Sequence, residues 1–160
     1  MKTQSIHKIK KELQFLNQTE LIDICLQLGK FKQENKALLT YLLFEAHDED
    51  TYIESVKITI KEQLNSMNTN SYFYMKKSIR KTLRLLKNYI KYSQKKTTEI
   101  ELLLFFCEQL NSIKPNIHQN RVLSNLYQRH ILTIKKHISI VHHDLQFEYH
   151  LKLEELNKNI

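Results

Sequence analysis

"KKSIRKTLRLLKNYIKYSQKK", Lys76 to Lys96, decides how the rest of the chain is read. Advancing about 100° per residue from Ile79 puts Tyr72, Met75, Leu83, Leu86, Tyr89 and Ile90 on one side of a helix. Lys76, Lys77, Arg80, Lys81, Arg84, Lys87, Lys91 and Lys95 fall beside them in an arc of about 140°, and only Lys96 is out of line. Helical periodicity held this long predicts one amphipathic helix, from about Ser71 to Ser93, with a core face and a cationic ridge. From Lys77 to Lys95 the ridge is about 27 Å long at the helical rise per residue. No acid occurs between Glu62 and Glu99, so nothing within that helix neutralises it.

Composition extends the helical reading to the whole chain. The 160 residues include one glycine and one proline. Few positive-φ turns are then available, so hairpins of strands are disfavoured. With 41% hydrophobic and 26% charged residues, the chain is predicted to be a single all-α domain, 1–160, of six to eight helices stacked as antiparallel hairpins. An irregular helical-repeat array and a compact bundle both fit, and 144–160 is a candidate separate C-terminal helix or tail.

Capping signals place the other elements. A first helix is expected over about Thr3 to Phe15. Asn17 with Glu20 reads as a capping box opening a second helix, with Gly29 at its C′ position. "NKALLTYLLFEA" supplies a third helix. The acids Asp48, Glu49 and Asp50 suit the positive end of a fourth. Thr98 with Glu101 reads as a second capping box, opening "EIELLLFFCEQL", and Pro115 closes that section. As one helix, Asn120 to Asn157 would exceed about 50 Å, so a break is expected near His142 to Asp144. "LQFEYHLKL" (Leu145 to Leu153) alternates like a strand, which would need an edge in another copy or another protein. It also carries a helical stripe of Leu145, Tyr149, Leu153 and Leu156, and the helical reading is preferred.

Cys25 and Cys107 sit in apolar helical runs and are expected to be buried and reduced. No signal-peptide core and no membrane-length apolar run is present, which points to a cytoplasmic protein with no membrane contact. Catalytic signatures are absent: one glycine rules out phosphate-cradling loops, and no nucleophile elbow occurs. His130, His137 and Asp144 recur at seven-residue steps of about 10.5 Å, too far apart to share one metal. The two histidines are read as hydrogen-bonded residues flanking the core. The acids of "EAHDEDTYIE" lack the pattern of a di-iron or calcium site, and His150 with Glu154 reads as a helical ion pair. No cofactor or metal is expected, and the chain is read as a non-enzymatic binding or scaffold module, the enzyme alternative being a site assembled from scattered residues such as His47 and the acids around it. "LIDICLQLGKFKQENKALLTYLL" has the outline of a helix-turn-helix, but its second helix is too apolar for a DNA groove; a core helical hairpin is the better account.

The stretches "ELIDICLQLGKFKQENKALLTYLLFEAHDE" and "KKSIRKTLRLLKNYIKYSQKKTTEIELLLFFCEQL" resemble those of short uncharacterised helical proteins of Bacteroidetes. The resemblance implies a bacterial, cytosolic source and carries no activity with it.

Charge gives the one functional lead. The net charge is +8, which suits nucleic acid or an acidic protein. Lysine outnumbers arginine by 21 to 4, which disfavours base-specific reading. The expected partner is a protein or a polyanion such as RNA or DNA, bound through Lys77, Arg80, Lys81, Arg84, Lys87, Lys91 and Lys95. The competing reading is a ridge neutralised by the acids at Glu45 to Glu54 and Glu99 to Glu108. A second acid-free stretch, Lys114 to His143, would enlarge the surface if it lay alongside.

Overall fold

A computed structural model describes residues 1–158. Eight α-helices are described: α1 (Ile6–Leu13), α2 (Gln18–Phe31), α3 (Gln33–Thr40), α4 (Glu49–Asn65), α5 (Tyr72–Ser93), α6 (Lys96–Ser112), α7 (Arg121–Ile138) and α8 (His143–Lys158). A π-helical turn, Tyr41–Glu45, follows α3, and a 3₁₀ turn, Ile117–Gln119, precedes α7. The fold is all-α, with no strand among the described residues. Leu145 to Leu153 lies within α8, with Tyr149, Leu153 and Leu156 buried. The expected break is present: α7 ends at Ile138 and α8 begins at His143, so 139–142, including His142, separate them. The last two residues of the 144–160 segment lie outside the described residues.

Contacts group the chain into two compact units, Met1–Phe44 and Glu45–Ile160. In the first, α2 and α3 pack as a hairpin. Asn17 and Glu20 form the expected capping box, and the Asn35 side-chain amide donates to the Leu28 carbonyl (2.8 Å) near the end of α2. Gly29 is not the C′ residue: it sits inside α2, which ends at Phe31. A Cβ on Gly29 would lie 3.0 Å from Leu39 Cδ1, so the glycine serves close packing of α3 rather than a turn. The hairpin is not a core element either. No residue of α1, α2 or α3 is buried, because so short a stretch of chain cannot enclose its apolar side chains. Cys25 is exposed for the same reason, against expectation.

The second unit is built around α6. "EIELLLFFCEQL" is apolar on every side, as a helix surrounded by others must be. Ile100, Leu102, Leu103, Leu104, Phe106, Cys107 and Leu110 are all buried, and α4, α5, α7 and α8 pack around them. α5 adds Met75, Ile79, Leu83 and Leu86, the face drawn from periodicity. Asn111 ties three helices and the 3₁₀ turn together: its amide donates to Tyr127 Oη (3.1 Å) and the Leu156 carbonyl (3.4 Å), and its Oδ1 lies 3.0 Å from His118 Nε2. Burial holds the His118 pKa below its ordinary value, which favours the neutral ring within this network.

Two further expectations yield to tertiary contacts. α6 begins at Lys96, so Thr98 is not its N-cap; its hydroxyl turns to Glu49 on α4 instead, at 2.5 Å. His150 makes no ion pair with Glu154 among the described residues, whereas Lys152 pairs with Glu148 at 2.6 Å. His130 is buried edge-on to Phe106, with centroids 6.1 Å apart, and has no hydrogen bond among the described residues. His137 Nδ1 lies 3.3 Å from Glu99 Oε2 without hydrogen-bond alignment.

Candidate polyanion-binding surface

The basic helix is α5. Ser71 caps it and accepts from the Tyr74 amide. Tyr72 Oη pins its first turn by donating to the Asn116 carbonyl (2.9 Å). Tyr52 Oη of α4 donates to the Tyr89 carbonyl (2.9 Å) near the other end. The ridge therefore rides on a helix fixed along its length.

Lys77, Arg80, Lys81, Arg84, Lys87 and Lys91 are exposed. None of these six makes an ion pair among the described residues. Of the acids that were candidates to neutralise them, Asp48, Glu49, Glu54, Glu99 and Glu101 are engaged elsewhere. Glu99 takes Lys96 (2.8 Å), and Glu101 lies 4.0 Å from Lys57 on α4 and accepts from Tyr149 Oη (3.2 Å). Lys95 alone leaves the row. α5 ends at Ser93, Gln94 turns the chain with a left-handed φ of 59°, and Lys95 opens α6. There its Nζ meets Glu49 Oε2 at 2.8 Å, while Glu49 Oε1 accepts from the hydroxyls of Ser93 and Thr98. The end of the ridge thus locks α4 to the α5–α6 corner. The remaining six span about 21 Å from Lys77 to Lys91 at the helical rise.

A concavity of about 550 Å³ runs along the first half of the ridge. It is lined by Lys76, Lys77, Arg80, Lys81 and Arg84, with Phe73 at one end and Val122 from the start of α7. The second acid-free stretch therefore adjoins the first. Farther along, His130 of α7 has its pKa lowered to about 4 by burial, then by the charges of Lys87 and Arg129. The side chain that approaches both cations is thus kept neutral.

Phe73 and Tyr74 escaped the reading from periodicity. On the wheel that places Ile79 at zero, Phe73 falls at about 120°, in the middle of the cationic arc. It is 70% exposed and Tyr74 is 49% exposed. The signal was available. Three consecutive aromatics, Tyr72 to Tyr74, fan across about 200° of a helix, so they cannot all face one core.

A second cavity, of about 300 Å³, lies between α4, α6 and α8. Both of its lysines are paired: Lys57 with Glu54 (2.7 Å) and Glu101 (4.0 Å), and Lys152 with Glu148 (2.6 Å). Among the described residues, no three histidine, cysteine or acidic side chains group closely enough to hold a metal, and no helix is long and apolar enough to cross a membrane.

No family model matches the chain, and no curated protein or solved structure is detectably similar to it. The surface has to be interpreted from its own chemistry.

Proposed function

We propose that the protein is a non-enzymatic binding module that takes a polyanion on the basic face of α5. One observation carries this: six exposed cations in a row, Lys77, Arg80, Lys81, Arg84, Lys87 and Lys91, without a carboxylate partner among the described residues. Like charges crowded on one helix destabilise it, and an anionic partner relieves that repulsion. The lining of the concavity is cationic and apolar and contains no nucleophile with a base beside it, which favours binding over catalysis.

Phosphate or carboxylate polymers would be attracted without sequence reading. Counterion release gives such binding a steep dependence on salt, with a slope of log K against log salt of about −0.7 to −0.9 per neutralised charge. Titrating the protein with heparin and with nucleic acid between low and moderate salt tests the proposal. Slopes of about −4 to −5 are expected for the six cations. Arg80→Glu with Arg84→Glu should abolish binding while leaving the helical circular dichroism intact. Wild-type protein that binds no polyanion at low salt would refute it.

A further inference from the structure

Resting on that reading, we infer that the concavity at the start of α5 is a site for single-stranded nucleic acid, with Phe73 as the surface on which an unpaired base stacks. Charge alone would suit any polyanion. The ring is what discriminates. Phe73 is 70% exposed beside Lys76, Lys77 and Arg80, in a concavity lined by no carboxylate. The face of an aromatic ring carries the negative part of its quadrupole. It therefore does nothing for a carboxylate or a phosphate, but it does receive the flat face of a base. In a duplex those faces are already stacked, whereas single strands offer them. Cations tracking a backbone beside an aromatic that takes a base is the general design of sequence-tolerant single-strand binders.

The platform is also held in place. Tyr72, one residue earlier, is anchored through its hydroxyl to the Asn116 carbonyl (2.9 Å). Tyr74, one residue later, stands edge-on to Phe73, with centroids 5.5 Å apart and planes at 79°. Val122 adds a second apolar surface to the lining, which suits a base better than a phosphate. α7 carries no acid, so neither wall repels the strand.

The chain contains no tryptophan, so Phe73→Trp places a single reporter at the site. The full-length variant is titrated with oligo(dT), oligo(U), a duplex of equal length and polyglutamate, at two salt concentrations. Stacking should quench the tryptophan with oligo(dT) and oligo(U), and much less with duplex or polyglutamate. By fluorescence anisotropy with labelled strands, Phe73→Ala should weaken single-strand binding roughly fivefold or more, since stacking on one aromatic is typically worth at least that. Its salt slope should not change, and Phe73→Trp should bind as well as wild type. Phe73 is exposed, so neither substitution opens the core.

Equal affinity for single strand, duplex and polyglutamate, with Phe73→Ala indistinguishable from wild type, would overturn the single-strand assignment and leave the polyanion surface standing. Tighter binding of polyglutamate than of either strand would overturn it in favour of an acidic protein partner. Absence of binding to all four would overturn both readings together.

Discussion

Replacing Glu49 with alanine should destabilise the second unit more than any other surface-accessible change. Oε1 accepts from Ser93 and from Thr98, which is fully buried. Oε2 pairs with Lys95, whose side chain is 50% exposed. Hydrogen bonds to a charged group contribute about 1.5–3 kcal/mol each. The two hydroxyls share one oxygen, so their contributions do not simply add. The half-exposed lysine adds about 0.2–1 kcal/mol. Glu49 also lies in the first turn of α4, where a negative charge contributes about 0.3–1 kcal/mol. Allowing for overlap, Glu49→Ala should cost about 3 kcal/mol. Glu49→Gln, whose amide oxygen still accepts, should cost about half as much. Urea denaturation followed by circular dichroism measures this, and with an m-value of about 2 kcal/mol/M the midpoint should fall by about 1.5 M. A double-mutant cycle with Thr98→Val should return a coupling of at least about 1 kcal/mol. A Glu49→Ala midpoint unchanged within error, or a coupling near zero, would show that the corner is held by its apolar contacts alone.

Four other outcomes follow from the same geometry. Burial pushes the Cys107 thiol up to about 12, while Cys25 is exposed, so a thiol reagent should label one cysteine in native protein and two after unfolding; Cys25→Ser should leave no native reactivity. His130 titrates near 4 when folded and near its ordinary 6.5 when unfolded. The unfolded chain therefore binds the proton first, and the His130 contribution to stability should be complete above pH 6.5 and decline toward pH 4; His130→Gln should flatten the melting temperature across that window. Gln94 holds a left-handed φ of 59° without being glycine, so Gln94→Gly should raise stability by about 1 kcal/mol, read as a higher urea midpoint. Finally, the six cations, without an ion pair among the described residues, make three i,i+4 and three i,i+3 like-charge contacts along α5, a repulsion of about 1–3 kcal/mol. Added salt should therefore raise the melting temperature by a few degrees while it weakens polyanion binding, and a melting temperature that falls with salt would contradict an uncompensated ridge.

What could be read from the sequence, and what could not, divides by the range of the interactions involved. α5 and α6 were legible because their patterns are local: one is apolar on a single face, the other on every face, and each pattern dictates how much of the helix its neighbours must cover. The cap at Asn17 was legible for the same reason, since it bonds to an amide three residues away. Thr98 was misplaced because a threonine followed three residues later by a glutamate has the form of a capping box wherever it occurs. Here its hydroxyl is claimed by Glu49, which lies 49 residues earlier. Gly29 was misassigned because a glycine near a helix end usually supplies a positive φ, whereas this one supplies room for Leu39.

The candidate site shows the same division. That α5 carries a cationic ridge was visible from sequence; that the ridge ends at Lys91 was not. Lys95 satisfies the helical spacing, but its fate depends on a left-handed residue at 94 and a carboxylate on another helix. The same contact explains why Glu49 leaves the rest of the ridge alone. Glu49 is committed to the α5–α6 corner, Glu99 lies against Lys96 and His137, and Glu101 against Lys57 and Tyr149. A chain this basic could have distributed its acids to quench its longest row of lysines and arginines. Glu49 and Glu101 instead fix contacts between helices, while Glu54 and Glu148 pair with lysines of their own helices. The ridge is left charged along about 21 Å, with Phe73 in the middle of its arc, and a partner that brings both phosphates and unpaired bases would satisfy both features at once.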